Sequence, residues 1–390
     1  MLLGQLRNRI MNSRKHIPIL DHLRGAAALS VCLYHFSASS HANSFLSDTD
    51  PLRQFASVGW LGVQAFFVIS GFVIPYSLHH RSYSLTDGGN FLSRRLKRLE
   101  PPYFACILLV LCIQFCVSFV PGYRGNPESL TVAQLLSHVA YLNAVLGYPW
   151  INPVFWTLAI EFQYYIFTAL IFPFLNNHRK STRMLTLLGV AFAGILGFGN
   201  EALLPHWLPL FALGMAAYFG IVGHVTHLEF AMLVPALGLV AGLVTGLQEA
   251  LVGVLTCISI YALAQKEIHS ALTPLAWLGV LSYSVYLIHM PIGIRVINIA
   301  ARFTESTALR YLTILVALAI SIGTAYVFYR LVEVPSQKWA KIGAKSAAPS
   351  EGKRVHSAAH RASNATRLSG YQNRSSLRRR ATQESSTEGE

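Results

Sequence analysis

Ionisable side chains inside apolar stretches are the residues of this sequence whose types and spacing suit chemistry. The first such stretch, HIPILDHLRGAAALSVCLYHF, carries Asp21, Arg24 and His35. Arg24 and His35 are eleven residues apart, so on an α-helix they lie within about 20° of each other and roughly 16 Å apart along the axis. This spacing leaves two interpretations open. Either the two side chains form a functional polar face, or Arg24 reaches back to the inner membrane surface and His35 merely lies at the outer interface.

A second apolar stretch, PVFWTLAIEFQYYIF, contains a single carboxylate at Glu161. Counted from Pro153, Glu161 lies about 12 Å along the helix axis. A carboxylate at that depth in a membrane must pair with a cation, take up a proton or line a water-filled cavity. We therefore predict that Asp21, Arg24, His35 and Glu161 point into one polar channel.

A third stretch, LGVLSYSVYLIHMPI, carries Ser282, Tyr283, Tyr286 and His289. Ser282, Tyr286 and His289 follow the i, i+4, i+7 spacing that places side chains on one helix face. These residues are candidates for the lining of the same channel. A histidine that is simply hydrogen-bonded within the helix bundle remains the alternative for His289, because a lone histidine is weak evidence of function.

Two arginines one helical turn apart, Arg95 and Arg98, lie in the polar segment FLSRRLKRLEPPYF. The planar guanidinium group binds phosphate through two parallel hydrogen bonds, and arginine exceeds lysine in this role. The spacing therefore suits a phosphate site. The alternative is the ordinary positive charge of a cytoplasmic loop.

The elements that must position these residues are membrane helices. The chain has 390 residues, of which 53% are hydrophobic and 12% are charged, and its mean hydropathy is +0.44; soluble globular chains have about 25% charged residues. We predict an all-α integral membrane protein with a bundle of about ten transmembrane helices. The apolar segments lie near 17–38, 57–79, 101–120, 153–175, 183–199, 205–222, 229–246, 250–265, 275–297 and 309–332. A weaker segment at 130–148 is predicted to be interfacial or re-entrant.

The distribution of basic residues predicts the orientation of the helices. Basic residues concentrate in the N-terminal segment and in the second and fourth loops, whereas the odd-numbered loops contain few of them. The residues concerned are Arg7, Arg9, Arg14, Lys15, Arg81, Arg94, Arg95, Lys97, Arg98, Arg179, Lys180 and Arg183. By the positive-inside rule both termini are predicted to be cytoplasmic.

The sequence divides into a membrane domain, 1–340, and a basic tail, 341–390. The tail has ten Lys and Arg residues against four Glu and is rich in Ser, so we predict that it is disordered. This tail contributes much of the formal net charge of +14. Attraction to anionic membrane lipid explains the charge better than nucleic-acid binding does.

Several kinds of site are disfavoured by the motifs. The five cysteines lie inside apolar segments and form no CxxC pair, and we predict no metal site. No Walker A, GxGxxG, HExxH or GxSxG motif occurs, which argues against an ATP-driven pump, a Rossmann enzyme, a zincin and an α/β-hydrolase.

Taken in order, these blocks resemble the membrane acyltransferase-3 family, whose members are bacterial enzymes that O-acetylate polysaccharides, lipopolysaccharide and glycolipids. The resemblance covers about residues 17–340. Its landmarks are Arg24 separated from His35 by ten residues, FFVISGF at 66–72, RRLKR at 94–98 with Pro102 and Tyr103, FWTLAIEFQYY at 155–165, SYSVYLIHMP at 282–291, and Glu333 two residues before Pro335. Two departures are His22, where members usually have Gly, and Phe162, where a second acidic residue is often found.

The resemblance implies an acyl-CoA donor, usually acetyl-CoA, that is reached from the cytoplasm, and a glycan or glycolipid acceptor hydroxyl on the far side of a bacterial inner membrane. It also implies that Arg24, His35, Glu161, Arg95 and Arg98 are functional. We assign Arg95 and Arg98 to the CoA phosphates. The substrate channel is predicted to include Asp21, Ser70, Ser282, Tyr283 and His289.

We expect His35 to act as the general base on the acceptor hydroxyl, with Arg24 and Glu161 orienting groups along the channel. A two-step route through an acyl-histidine is the competing mechanism. Exopolysaccharide and lipopolysaccharide are among the candidate acceptors. A transporter or flippase for a glycolipid is the alternative function, but no repeat of the first-helix or arginine motifs occurs in the second half of the chain, as many transporter folds would show.

Overall fold

The computed structural model describes residues 17–38, 45–119, 130–196, 199–266 and 273–346. Within these ranges all regular secondary structure is helical, which confirms the all-α prediction for this part of the chain. The helices are α1 (Pro18–Ser37), α2 (Pro51–Ala56), α3 (Gly62–His79), α4 (Gly88–Ser118), α5 (Val132–Val139), α6 (Asn143–Leu146), α7 (Trp156–Leu175), α8 (Lys180–Leu196), α9 (Leu204–Val222), α10 (His227–Val244), α11 (Leu247–Leu263), α12 (Thr273–Val280), α13 (Ser282–Ile288), α14 (Ile294–Ala300), α15 (Thr307–Phe328) and α16 (Val334–Ser346).

Local sequence explains where several helices begin and end. Helix α1 starts at Pro18, a residue favoured in the first turn because its missing N–H is not needed there. Helix α10 starts with a capping box, in which Thr226 and Glu229 each accept a hydrogen bond from the other's backbone. Helix α9 ends at Val222 and is followed by Gly223, whose φ of +76° suits glycine at a helix C-terminus.

Seven helical segments in the described part are long and apolar enough to cross a membrane. They are Pro51–His79, Leu85–Ser118, Pro153–Leu175, Leu204–Val222, His227–Val244, Ser282–Ala300 and Thr307–Ile342. The chain is thus a multi-pass membrane protein, but the predicted number of ten spans is not confirmed. The three other predicted segments form α1, which is made polar by Asp21, Arg24 and two histidines, and α8 and α11, which have only 17 residues each.

The segment 130–148 forms two short helices, α5 with eight residues and α6 with four. Neither is long enough to cross a bilayer, which takes about 20 residues. Their large apolar side chains are exposed, among them Val132, Leu136 and Val145. An interfacial position, as predicted, fits this pattern.

Helix α9 forms the centre of the bundle, since every residue from His206 to Phe219 is buried. It packs against α3, α8, α10 and α11. Its crossing with α3 is very close. A Cβ atom on Gly71 would lie 2.3 Å from the carbonyl oxygen of Phe211, and one on Gly214 would lie 2.1 Å from that of Val68. Only glycine permits this approach.

Two π-helical turns, His289–Gly293 and Tyr329–Glu333, interrupt the last long helical segments. The first contains Pro291, which has no N–H to bond to the carbonyl group of Leu287. The side-chain amide of Asn152 donates a hydrogen bond to that carbonyl group at 3.1 Å instead. π-turns of this kind are common at functional sites.

The predicted disordered tail and the predicted cytoplasmic N-terminus fall mostly outside the described residues and stay predictions. Helix α16 continues to Ser346, so the first six residues of the segment 341–390 are helical. The domain boundary at 340 also stays a prediction.

Candidate functional site

One cavity of about 310 Å³ brings together most of the predicted site residues. Helices α1, α3, α4, α7, α12 and α13 contribute to its wall, together with the second π-turn and α16. The predicted residues that line it are Asp21, Arg24, Ser70, Arg95, Arg98, Glu161, Ser282 and Tyr283. His35 and His289 are not part of this lining.

A close helix crossing places the α1 side chains at the cavity. Helix α1 packs against α12 through Gly25 and Gly279. A Cβ atom on Gly25 would lie 1.9 Å from the carbonyl oxygen of Leu275, and one on Gly279 would lie 1.8 Å from that of Asp21. The two backbones therefore touch, and this contact holds Asp21 and Arg24 at the cavity wall.

The arginine segment of α4 is held by an unusual set of hydrogen bonds. Pro101 and Pro102 lie inside this helix and have no N–H, so the carbonyl groups of Lys97 and Arg98 lose their usual partners four residues on. The Ser336 hydroxyl lies 2.8 Å from the Lys97 oxygen and 2.7 Å from the Arg98 oxygen. The single O–H of Ser336 is thus shared between the two carbonyl oxygens and ties the backbone that carries the arginines to α16.

Aromatic residues hold the arginine segment of α4, one through its backbone and two through the Arg95 side chain. The Tyr283 hydroxyl donates to the carbonyl oxygen of Leu99 at 2.9 Å. The guanidinium group of Arg95 lies 5.3 Å from the ring centre of Tyr165 and 5.4 Å from that of Phe91. Such cation–π contacts stabilise a guanidinium group without using its N–H groups.

The three arginines of the cavity form no ion pair with a carboxylate of the described residues. Among the described residues, no carboxylate oxygen lies within 4 Å of the side-chain nitrogens of Arg24, Arg95 or Arg98. Partly buried guanidinium groups without a carboxylate partner are suited to bind an anion, and phosphate matches their geometry.

Glu161 is held by hydroxyl groups. The Tyr165 hydroxyl donates to its Oε1 atom at 2.5 Å, and the Ser70 hydroxyl lies 3.5 Å from the same atom. Because Tyr165 also stacks on Arg95, Glu161 is linked to the arginine through this ring. A tyrosine bridge between carboxylate and guanidinium was not predicted from the sequence.

A second buried carboxylate, Glu333, belongs to the cavity lining and was not assigned to the site beforehand. It is only 1% exposed. It accepts hydrogen bonds from the Ser284 hydroxyl at 2.5 Å and from the Gln337 side chain at 2.9 Å. Its position inside an apolar helix was the signal that would have identified it, by the argument applied to Glu161.

His35 and His289 contact each other beside the cavity. Their ring centres are 5.2 Å apart, with planes inclined at 42°. The ring of Tyr286 lines the cavity and lies 5.8 Å from that of His289. Tyr286 thus contacts both the cavity and the histidine pair. This pairing of α1 with the first π-turn could not be read from the spacing within either segment.

The two departures from the family pattern have local contacts. The Nδ1 atom of His22 lies 2.9 Å from the carbonyl oxygen of Pro18, and His22 does not line the cavity. Phe162 stacks on Tyr141, with ring centres 5.2 Å apart. Both side chains therefore have structural roles away from the cavity.

A second open cavity, of about 410 Å³, lies between α4, α14 and the segment before α7, and it contains none of the predicted site residues. In the described ranges no group of three or more His, Cys, Asp or Glu side chains is arranged to hold a metal ion.

Comparison with known proteins gives a family match over most of the chain. The family model of the acyltransferase-3 type, described as an acyltransferase domain, matches residues 17–330. The O-acetyltransferase OatA of Staphylococcus aureus is 30% identical over 197 residues, which is 48% of this chain and 30% of that protein. The peptidoglycan O-acetyltransferase OatA of Listeria monocytogenes is 23% identical over 376 residues, or 84% of this chain and 56% of that protein.

A viral relative, ORF330 of Acidianus two-tailed virus, is 29% identical over 219 residues, or 53% of this chain and 58% of that protein. The matches thus span between about a third and somewhat more than half of these relatives' own lengths. No solved structure matches the chain.

Proposed function

The chain belongs to the acyltransferase-3 family, and we propose that it is an O-acyltransferase. It moves an acyl group such as acetyl from cytoplasmic acyl-CoA to a hydroxyl group of an envelope or secreted glycan or glycolipid. The names of the staphylococcal and listerial relatives support O-acetyl transfer. The listerial name adds peptidoglycan to exopolysaccharide and lipopolysaccharide as candidate acceptors. The site of action is the bacterial inner membrane, with both termini cytoplasmic.

The observation that carries the proposal is the cavity with three arginines that have no carboxylate within ion-pair distance in the part of the chain that the structure describes. Arg95 and Arg98 bind the phosphates of CoA, and the pantetheine arm extends along the cavity past Arg24. The arm is on the order of 15–20 Å long, and the separation of Arg24 from His35 along α1 is roughly 16 Å. An arm of that length starting near Arg24 would bring the thioester to the level of His35, which lies beside the cavity against His289.

The reaction follows from these positions. His35 takes the proton from the acceptor hydroxyl as its oxygen attacks the thioester carbonyl carbon. The carbon–sulfur bond breaks, and the CoA thiolate leaves and receives the proton from His35. The ester forms on the acceptor, and the enzyme returns to its starting state. In the competing two-step route, His35 first carries the acyl group itself.

Release of CoA by the purified protein tests the proposed function. The protein in detergent is incubated with acetyl-CoA and a fragment of peptidoglycan or another envelope glycan, and free thiol is measured. Mass spectrometry of envelope glycans from cells with and without the protein then identifies the acceptor. A glycolipid transporter would move lipid across vesicles without releasing CoA, and that result would contradict the proposal.

Replacement of Glu161 tests whether this carboxylate orients the donor site. Glu161→Ala removes the acceptor of the Tyr165 hydroxyl and so loosens the ring under Arg95. We expect acetyl-CoA affinity to fall by roughly tenfold, the effect of losing one hydrogen bond to a charged group. Binding to the purified variant is measured by calorimetry.

Glu161→Gln serves as the control, because its amide oxygen still accepts from Tyr165 and much of the affinity should be retained. Equal losses in both variants would show that the charge of Glu161 acts directly, and not through the tyrosine.

Reporter fusions test the predicted orientation. The loop charges predict that Asp48 and Gly246 lie outside and that Gly88 and Lys345 lie in the cytoplasm. Alkaline phosphatase fused at the first two positions should be active, and a fluorescent protein should fluoresce at the other two. An external signal at Lys345 would mean that the number of spans is odd and that the two termini lie on opposite sides of the membrane.

A further inference from the structure

The imidazole of His289 is buried with one nitrogen that has no hydrogen-bond partner. Its Nδ1 atom lies 3.1 Å from the carbonyl oxygen of Val285. A carbonyl oxygen only accepts, so Nδ1 carries the hydrogen and the lone pair is on Nε2. His289 is 0% exposed, and no donor of the described residues reaches Nε2. Buried acceptors of this kind are rare and call for an explanation.

Three rings face His289, and they differ in whether they carry an N–H or O–H group that could be directed at it. The ring of Phe36, with its centre 6.3 Å away, has no donor. The hydroxyl of Tyr286 is engaged with Thr157 at 2.8 Å. The third ring is that of His35, with its centre 5.2 Å away.

A second buried polar group, a serine hydroxyl, lies against the same π-turn at Gly293. Ser321 of α15 is 0% exposed and, among the described residues, has no hydrogen-bond partner either. It lies against Gly293, since a Cβ atom there would be 2.7 Å from its Oγ atom. Its hydroxyl therefore serves as a matched control for a buried polar group at this turn.

The π-turn holds His289 firmly in this place. The turn begins at His289. The residue two positions before it, Leu287, is tied through its carbonyl oxygen to Asn152 at 3.1 Å and to the Cys106 thiol at 3.3 Å. Helix α4 and the segment that precedes α7 thus fix the backbone from which the imidazole extends towards α1.

We propose that His289 is a positioning residue for His35. Its Nε2 atom accepts a hydrogen bond from one ring N–H of His35, which directs the other ring nitrogen of His35 to the acceptor hydroxyl. When His35 takes up the proton, the same hydrogen bond becomes charge-assisted and stabilises the imidazolium ion. The ring centres are 5.2 Å apart, so rotation of the side chains brings a nitrogen of each ring within hydrogen-bond distance of the other. The inference rests on the proposed role of His35 as the base.

The test compares two replacements of His289. His289→Leu keeps an apolar side chain of similar size and removes the acceptor. This variant should lower kcat for acyl transfer roughly 10- to 100-fold, the effect of losing one charge-assisted hydrogen bond. The KM for acetyl-CoA should be unchanged, because the arginines that hold the donor lie on another helix. His289→Gln places an amide oxygen near the position of Nε2 and should retain most of kcat. Ser321→Ala should have wild-type kcat.

A double variant separates positioning from a structural role. If His289 acts only through His35, then His35→Ala/His289→Leu should be no slower than His35→Ala alone. Effects that multiply, or equal losses in the Leu and Gln variants, would overturn the inference. Wild-type kcat in His289→Leu would overturn it while leaving the proposed function intact. A wild-type protein that releases no CoA would overturn both.

Discussion

Replacement of His35 by alanine is expected to lower the rate of acyl transfer by about 10²–10⁴-fold, the contribution of a positioned base to attack by an alcohol. An alcohol is a poor nucleophile at neutral pH, so the reaction depends on removal of its proton. Membrane insertion and donor binding should be retained, because Arg95 and Arg98 lie on a different helix. Transfer of radiolabelled acetyl groups by purified variants between pH 5 and pH 9 measures the effect.

The same helix offers a matched control. His22 is bonded through Nδ1 to the carbonyl oxygen of Pro18 and does not line the cavity, so His22→Ala should transfer acyl groups at close to the wild-type rate. The wild-type protein should lose activity towards acidic pH, since a protonated imidazole has no lone pair to accept the hydroxyl proton. Substantial turnover by His35→Ala would contradict this mechanism, and Glu161 or His289 would then be the candidates for the base.

Replacement of both Arg95 and Arg98 by alanine is expected to produce the largest loss of donor affinity. Each hydrogen bond to a charged phosphate is worth about 1.5–3 kcal/mol, so each single replacement should weaken acetyl-CoA binding by roughly 10- to 100-fold. Lysine at either position should restore only part of the affinity, because an ammonium group lacks the planar fork of arginine. Calorimetric titration of the purified variants with acetyl-CoA measures the constants.

Arg94 is the appropriate control for the arginine pair, since it is the direct neighbour of Arg95 but does not line the cavity. Arg94→Ala removes the same charge from the same helix and should bind acetyl-CoA normally. Unchanged affinity for acetyl-CoA in the double variant would show that Arg95 and Arg98 do not bind the donor and only contribute positive charge on the cytoplasmic side. A loss in Arg94→Ala as large as in Arg95→Ala would mean that net charge, rather than contact, controls binding.

Much of the fold was predictable because membrane helices are encoded locally. An apolar stretch of about 20 residues must be helical in a bilayer, since its backbone groups have no other partners. The all-α class follows from that rule. The number of spans was less predictable, because α8 and α11 are 17 residues long and α1 gives up part of its apolar surface to Asp21, Arg24 and His35.

The sequence by itself determined which side chains share a helix face and which of them do not belong in a membrane. Arg24 and His35 are aligned by the period of the helix alone, and Arg95 and Arg98 by a single turn. The polar character of these residues and of Glu161 marked them as candidates, since hydrocarbon disfavours them unless they have a partner or a cavity. These inferences need no knowledge of neighbouring helices.

Only the tertiary structure decided which of these residues meet. Arg24 reaches the cavity because Gly25 and Gly279 let two helices that are far apart in the chain touch. His35 contacts His289 because the bundle brings α1 beside the first π-turn. Contacts between segments far apart in the chain depend on helix packing and on backbone groups freed by proline, such as those bonded by Ser336. Their energies arise only when the bundle closes, so no periodicity within one helix encodes them.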